Sequence, residues 1–593
     1  MPSINEVLSL IKKNYPFREV YGLLTEITKY HRIQGSRDLW SAVDVVKNYL
    51  EENGLETRVY KIENGLDLGL YRAPTGWRLV YGEVVVRENN TEIAKLNTID
   101  RPTLVIAHSP SGSGKAGIEF VKLENIGKAG GKVALTNDPP YLVYKFGLDY
   151  GLEAIAWYGI SRHPRGVPYT GYHIEPSEER DVLPGFTLPE YLVERIHSLL
   201  NKGSRVTIEW NIETRYEEYG LPVLEACIGS GEEAIVATAH ICHPTPGAHD
   251  NASGSAVLAG SAVAVKRLWD KLGLSHRICF YWIPEYTGTI ALFIKRVLRE
   301  NVIANLNVDM IGSRQEATGS VLHHIRASIV NQGFLTPATW LSLEAIYRTG
   351  RTFHGQYAMG STRYDSAPYG NGSDHDVFNI AGVEGVMYNE WPSLYYHTDL
   401  DTPDTIGYNE LYRSGVAVSL SLVLASKPSL LNNIEDYVRS YYSSLLSWYV
   451  MESCLRGRDY GFVVSGVREW IARAIDRSIA FIRKSVVEKE CCTEGIYRGY
   501  TSIPLRCIAL ELGTRYYRLV TSRRSLSLLV STALPVMLRH GLGIDGIIKT
   551  YLAEQILDPK AMDIECFGYK GIECLRKILG DVISWLSRKK LIV

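Results

Sequence analysis

The chain has 593 residues, enough for three to four domains at about 150 residues each. Its 64 Lys and Arg residues nearly balance its 65 Asp and Glu residues, which argues against a protein that binds nucleic acid through phosphate contacts. Hydrophobic residues make up 46% of the sequence and charged residues 22%, a composition that excludes wholesale disorder.

Neither a membrane span nor a secretory leader is predicted. The longest apolar candidate, Ser525 to Leu538, is shorter than the roughly 18 residues that a span needs and contains Pro535. The N-terminus is amphipathic and lacks the basic start and apolar block of a signal peptide. The nine Cys are odd in number and widely spread, which argues against a disulfide framework. We therefore expect a cytoplasmic protein with reduced thiols and no membrane or nucleic-acid partner.

The sequence of the first 222 residues predicts helices followed by a β-rich unit. Apolar residues recur at helical spacing over residues 4–53, and a strand is predicted over residues 57–62. From about residue 65, short β-rich runs alternate with Gly and Pro. These runs lie at residues 103–108, 131–136, 153–159 and 206–212. We predict that this β-rich unit, residues 65–222, is an insert.

An alternating series of strands and helices follows. Strands are predicted at residues 234–240, 276–284, 302–310 and 383–389, and helices at residues 253–268, 287–299 and 408–424. Strands separated by helices imply a largely parallel sheet with helices on both faces. The predicted fold class is therefore α/β, with a mostly parallel mixed sheet flanked by helices. Residues 1–64 and 223–428 together would form this domain.

The last segment, residues 429–593, is predicted to be an all-helical C-terminal domain. Six apolar residues in it recur at helical spacing and form one stripe: Val467, Ile471, Ile475, Ile479, Ile482 and Val486. Two interpretations of this stripe stay open. It packs into the core of the domain, or it forms a subunit interface.

Residue types that commonly bind metals or transfer protons lie at the ends of four of the predicted strands. They are His240, His243 and Asp250 after the first strand, Glu285 after the second, Asp309 after the third and His397 after the fourth. Ligands of open α/β sheets bind beyond the carboxyl ends of the strands. A hydrolytic zinc site uses His nitrogens, carboxylate oxygens and a free Glu. Any one of these residues could instead cap a helix, but independent caps would not need His240 and His397.

Several segments together resemble the co-catalytic zinc aminopeptidases, the clan that includes glutamate carboxypeptidase and glutaminyl cyclase. These segments are GAHDNASG at 247–254, NVDMIG at 307–312, SDHDVF at 373–378 and YHTDLDTPD at 396–404. The resemblance implies that His240 and Asp309 hold a first metal, that Asp250 bridges two metals and that His397 belongs to the second. It also implies that Glu285 is the general base, since it precedes Gly288 by three residues.

Two positions depart from the family's pattern. Tyr286 stands where the family has a second Glu, which is a ligand of the second metal. Cys242 stands where the family has an Asp that orients a metal-bound imidazole. Loss of such a supporting residue weakens metal binding by about 10- to 100-fold. The HICHP variant at 240–244 resembles an aminopeptidase-like subgroup of the clan in bacteria and archaea.

The expected cofactor is therefore one zinc ion, and a second ion is left open. His240, Asp250 and Asp309 supply three ligands and leave a position for water. His397 completes this site or holds a weaker second metal with Asp250. Three alternatives remain: His243 replaces His240, the thiolate of Cys242 is a ligand, or a one-residue shift of the alignment makes Glu285 a ligand.

The resemblance implies a zinc-dependent exopeptidase acting on peptides. The expected enzyme is an aminopeptidase that uses zinc-activated water, with Glu285 as the base. A carboxypeptidase or a glutaminyl-cyclase-like enzyme of the same clan is the alternative, and an inactive scaffold like transferrin receptor is another. Glu390, Trp391 and Tyr395 either line the substrate pocket or are solvent-exposed loop positions.

The other two segments also have a counterpart in this clan. GGKVALT at 130–136 and PGFTLP at 184–189 loosely resemble the protease-associated domain. Glutamate carboxypeptidase and transferrin receptor carry such an insert together with a helical C-terminal domain that forms dimers. By analogy we expect a homodimer through residues 429–593.

Overall fold

The computed structural model describes residues 3–159, 162–298, 301–348, 350–351, 357–358, 362–484 and 496–592. The larger sheet has eight strands: β1 (Thr57–Ile62), β9 (Leu221–Ile228), β10 (Ala234–His240), β11 (Arg277–Ile283), β12 (Val302–Asp309), β13 (Val321–Ile325), β16 (Tyr364–Ala367) and β17 (Glu384–Trp391). Their order across the sheet is β1-β9-β11-β10-β12-β17-β13-β16. Strands β11, β10, β12 and β17 run parallel, and β9 and β13 pair antiparallel with the two ends of this group. This mixed sheet confirms the predicted α/β fold.

Helices cover both faces of the larger sheet. They are α1 (Ile4–Asn14), α2 (Phe17–Ile27), α3 (Arg37–Glu52), α6 (Gly254–Leu272), α7 (Thr287–Ile294), α8 (Gln315–Thr318), α9 (Leu335–Leu343), α10 (His375–Ile380) and α11 (Tyr408–Ser426). Side chains along β11 alternate between two cores, because successive residues of a strand point to opposite faces. Phe280 and Trp282 lie in the core under α6 and α11, whereas Tyr281 and Ile283 lie in the core under α7 and α10.

A second sheet lies in the predicted insert. Its strands are β2 (Trp77–Glu88), β3 (Thr91–Asn97), β4 (Gly112–Phe120), β5 (Val133–Thr136), β6 (Ala154–Trp157), β7 (Gly185–Thr187) and β8 (Val206–Tyr216), with helices α4 (Pro140–Gly147) and α5 (Glu190–Asn201). The strand predicted at 103–108 is absent from this described sheet. The backbone of Val105 pairs with Phe186, and the backbone of Ala107 pairs with Gly171. Because the two residues pair with different segments, they form isolated bridges and not a continuous strand. The domain limits and the likeness to a protease-associated domain stay predictions.

The C-terminal segment is mainly helical. It contains α12 (Ile434–Leu455), α13 (Tyr460–Arg483), α14 (Leu505–Glu511), α15 (Thr514–Thr521), α16 (Arg524–Leu528), α17 (Leu534–Arg539), α18 (Ile544–Glu554) and α19 (Gly571–Arg588). The expectation that this segment contains helices alone is wrong, because it also holds two short paired strands, β18 (Glu565–Cys566) and β19 (Tyr569–Lys570). A similar pair precedes the segment, formed by β14 (Gly350–Arg351) and β15 (Tyr357–Ala358). Within the described ranges no single helix is long and apolar enough to cross a membrane, although Arg524–Arg539 and Ile544–Glu554, bent by 116°, pass that test as a pair.

The apolar stripe on α13 packs into the core. Val467, Ile471 and Ile479 are buried in the same cluster as the central helices of the larger sheet. Ile475 and Ile482 are partly buried against that cluster. Val486 lies outside the described residues. Core packing therefore accounts for the part of the stripe that the structure describes.

Two disulfides correct the expectation of reduced thiols. Cys227 and Cys279 face each other on the antiparallel strands β9 and β11, and Cys566 joins Cys574. The first pair is 52 residues apart in sequence, so only strand pairing brings it together. Disulfides are rare in cytosolic proteins, and the cytoplasmic location stays a prediction.

Candidate metal centre

Strand ends and two loops bring the four predicted ligands together. His240 is the last residue of β10 and Asp309 the last residue of β12. Asp250 lies in the short irregular helical turn Ala248–Ser253 that precedes α6. His397 lies in the loop after β17 and has a positive φ of 52°. Parallel strands in the centre of the sheet thus deliver these side chains to one edge, as sequence reasoning expected.

The first group of ligand atoms consists of His240, Asp250 and Asp309. The Nε2 atom of His240 lies 3.2 Å from Oδ1 of Asp250 and 3.3 Å from Oδ1 of Asp309. All three residues are buried, and Oδ1 of Asp309 has no hydrogen-bond partner among the described residues. One ligand atom from each residue lies within 4.8 Å of the others, so this group could hold one cation.

A second group shares Asp250 with the first. It consists of His243, Asp250 and His397, whose ligand atoms also lie within 4.8 Å of one another. Oδ2 of Asp250 lies 3.4 Å from Nε2 of His243 and 3.2 Å from Nε2 of His397. Asp250 therefore offers one oxygen to each group. His243 lies beside His397 and does not take the place of His240.

Tyr286 points away from both groups. Its hydroxyl donates to Oδ2 of Asp376 at 2.6 Å, and its backbone N–H donates to Oδ1 of Asp374 at 2.8 Å. It has a positive φ of 57° and directly precedes α7. The SDHDVF segment therefore anchors Tyr286, and the second group contains the imidazole of His243 and no atom of Tyr286.

Cys242 and Glu285 lie next to the two groups without belonging to either. The backbone N–H of Glu285 donates to Sγ of Cys242 at 3.2 Å. The side chain of Gln34 donates to the backbone carbonyl of Glu285 at 3.0 Å. The sulfur of Cys242 thus supports the turn that carries Glu285, and the Glu285 carboxylate remains a free acid or base beside the ligands.

The electrostatics of the site fit divalent cations. Burial alone would lower the pKa of His240, but the carboxylates of Asp309 and Glu285 outweigh it and hold that pKa well above its ordinary value. Burial also raises the pKa of Glu285 well above its usual range, and Asp309 adds to this effect. These carboxylates favour a positive charge at their centre, which a bound dication would supply. Imidazole nitrogens with carboxylate oxygens form the donor set that zinc prefers.

A buried arginine that sequence reasoning missed holds the loop of His243. The guanidinium of Arg32 donates to five backbone carbonyls, those of Ile27, Tyr30, Ile241, Pro246 and Gly247. The backbone N–H of His243 donates in turn to the carbonyl of Arg32 at 2.9 Å. Arg32 lies between two helices in a segment without any motif, so nothing in its sequence surroundings indicated this role.

Asp401 and Asn251 fix the shared ligand Asp250. The carboxylate of Asp401 accepts from the backbone N–H groups of His249 and Asp250, both at 2.9 Å. The amide of Asn251 donates to the carbonyl of Val308 at 3.0 Å and so ties the turn to β12. Both residues lie inside the quoted motifs, and this proximity was the only sequence signal for their role.

Glu390, one of the candidates for the substrate pocket, supports the backbone of a turn. It is buried, and its carboxylate accepts from the backbone N–H groups of Gly312 at 3.1 Å and Ser313 at 2.8 Å. Because the chain turns after β12, these two N–H groups would lack hydrogen-bond partners. The carboxylate of Glu390 accepts from both of them. The other two candidates, Trp391 and Tyr395, are partly exposed.

The insert reaches the metal centre through Tyr169. The Tyr169 ring lies edge-on to the rings of His243 and His397, with centroids 5.1 Å away in both cases. Its backbone N–H donates to the carbonyl of His397 at 2.6 Å. Sequence reasoning missed Tyr169 because it lies outside every motif.

Comparison with known proteins finds one family profile and structures of similar fold. Residues 224–421, which contain both groups of ligands, match the profile of peptidase family M28. The peptidase M28 precursor from Shewanella amazonensis is similar in structure, with 16% identity, coverage of 71% of this chain and 96% of that chain, and a TM-score of 0.52. BSAP, a zinc aminopeptidase from Bacillus subtilis, has 17% identity, coverage of 69% and 95%, and a TM-score of 0.50. A search of curated proteins finds no significant match.

Proposed function

We propose that this chain is a zinc-dependent aminopeptidase that removes N-terminal residues from peptides, since residues 224–421 match the profile of peptidase family M28. One observation carries this proposal. Two groups of metal-ligating side chains share Asp250, and the free carboxylate of Glu285 lies beside them. Hydrolysis by activated water needs these parts together, a place for cations and a nearby base.

The residues of the chain divide the chemistry between them. Zinc, when bound, supplies a Lewis acid that polarises a carbonyl and lowers the pKa of water toward about 7. Glu285 accepts a proton from the attacking water, whose oxygen forms a bond to the carbonyl carbon of the scissile peptide. Glu285 then returns this proton to the nitrogen of the leaving amine as the C–N bond breaks. Asp401 and Asn251 keep Asp250 in place throughout.

We extend aminopeptidase specificity to this chain from BSAP, which is a zinc aminopeptidase. The test is mass spectrometry of a mixed peptide pool incubated with zinc-loaded protein. Peptides shortened only from free N-termini would support the proposal. Peptides shortened from the C-terminus would identify a carboxypeptidase instead. An unchanged pool from zinc-bound protein would favour the binding scaffold.

We further propose two zinc ions per chain, one in each group. Replacing His243 by Ala leaves the second group with Asp250 and His397 alone, fewer ligands than a protein zinc site uses. We expect the zinc content after dialysis to fall from about two ions per chain to about one, because structural and catalytic zinc sites need at least three protein ligands. Elemental analysis measures this change.

A matched variant controls for the loss of an imidazole. His197 is an exposed residue of α5 whose ring contacts Phe120, and it lies outside both groups. His197→Ala should keep the wild-type zinc content. Retention of both ions in His243→Ala would contradict the second site.

The homodimer stays a proposal, and the helical segment offers a surface for it. Met451 and Leu455 at the end of α12 and Tyr460 at the start of α13 are 50%, 73% and 55% exposed. Exposed apolar side chains that cluster at one helical hairpin are common at subunit interfaces. Light scattering of the full chain should give a dimer mass, and a monomer over the micromolar range would contradict this expectation.

A further inference from the structure

The insert and the loop of His397 are joined by several contacts. Val167 donates its backbone N–H to the Asp399 carboxylate at 2.9 Å, and Arg101 forms an ion pair with the same carboxylate. Pro168 forms a backbone bridge with Thr398. Asp399 is buried, so this junction is shielded from solvent. The segment that precedes Tyr169 is therefore fixed relative to His397.

Tyr169 presents an unused hydrogen-bond donor at the metal centre. Its ring is packed against His243 and His397 at equal centroid distances of 5.1 Å. Among the described residues its hydroxyl has no hydrogen-bond partner, and the side chain is half-buried. Glu285 and Asp250 lie near enough to this hydroxyl for their charges to act on it.

We propose that the hydroxyl of Tyr169 donates a hydrogen bond to the carbonyl oxygen of the scissile peptide and strengthens that bond as the oxygen gains negative charge. The insert then supplies a catalytic residue and is part of the active site. This inference rests on the proposed peptidase function. A phenol is protonated at neutral pH and so is a donor. Donors aimed at a developing oxyanion contribute more to the transition state than to substrate binding.

The test is the variant Tyr169→Phe, which removes one oxygen and keeps the ring against His243 and His397. We expect kcat for peptide hydrolysis to fall about 10- to 100-fold, with KM changed by less than about threefold, because the bond strengthens mainly in the transition state. Zinc content should equal that of wild type. Tyr191→Phe is the matched control, since Tyr191 belongs to the same insert, is exposed and contacts neither histidine.

A binding measurement separates this inference from the peptidase proposal. Inorganic phosphate is a tetrahedral oxyanion, and its affinity for the zinc-loaded protein can be measured by calorimetry without turnover. We expect Tyr169→Phe to bind phosphate about tenfold more weakly than wild type does, as loss of one hydrogen bond predicts. If wild type cleaves no peptide but Tyr169→Phe still binds phosphate more weakly, the peptidase proposal fails and the hydrogen bond from Tyr169 to a bound oxyanion stands. If the phosphate affinity and any measurable kcat of Tyr169→Phe both stay within twofold of wild type, the proposed hydrogen bond is overturned.

Discussion

Replacing Glu285 by Gln is expected to lower kcat for peptide hydrolysis by about 10²- to 10⁴-fold, the usual contribution of a general base. The amide of Gln has nearly the same shape but cannot take a proton from water. Glu285 belongs to neither group of ligand atoms, so the zinc content and the melting temperature should match those of wild type. Steady-state kinetics, elemental analysis and thermal unfolding measure the three quantities.

Glu232→Gln is a suitable control for this experiment. Glu232 is an exposed carboxylate between β9 and β10, and its loss should leave kcat unchanged. Turnover close to wild type in Glu285→Gln would remove Glu285 from the role of base. A simultaneous loss of zinc would instead show that Glu285 is a ligand, the alternative that a shifted alignment left open.

Replacing Asp250 by Ala should abolish both zinc binding and turnover. Asp250 is the one residue that contributes to both groups, with Oδ1 near His240 and Oδ2 near His243 and His397. Without it each group keeps two ligands, fewer than the three that zinc sites in proteins use. We expect less than about half an ion per chain after dialysis, and activity below detection.

The control for Asp250→Ala is Asp149→Ala, an exposed position in the insert. This control should retain zinc and activity. Since bound ligand stabilises the folded state, added zinc should raise the melting temperature of wild type and of Asp149→Ala but not that of Asp250→Ala. Normal zinc content in Asp250→Ala would show that Asp250 is not a ligand.

Local patterns in the sequence were sufficient to predict the sheet and most of the site. The apolar run at residues 234–240 is β10, with the same limits, because a strand buried on both faces is recognisable without its neighbours. The strand ends then located His240, Asp309 and Glu285 at one edge, since parallel strands end together. Helix ends were less certain. The helix predicted to end at residue 268 continues to Leu272, where Gly273 with a φ of 58° stops it.

The features that the sequence could not indicate all depend on contacts between distant segments. Arg32 binds the carbonyl of Ile241 from 209 positions away, and the disulfide of Cys227 with Cys279 depends on the register of two strands. Tyr169 comes from the insert.

The role of each side chain at the metal centre was likewise decided in three dimensions. The hydroxyl of Tyr286 donates to Asp376, and the backbone N–H of His243, which lies beside His397, donates to the carbonyl of Arg32. The sequence by itself determined which residue types are present and at which strand ends they lie, because secondary structure follows from local periodicity. Only the tertiary structure decided which of them share Asp250, because a ligand group is defined by distances between side chains that no local pattern encodes.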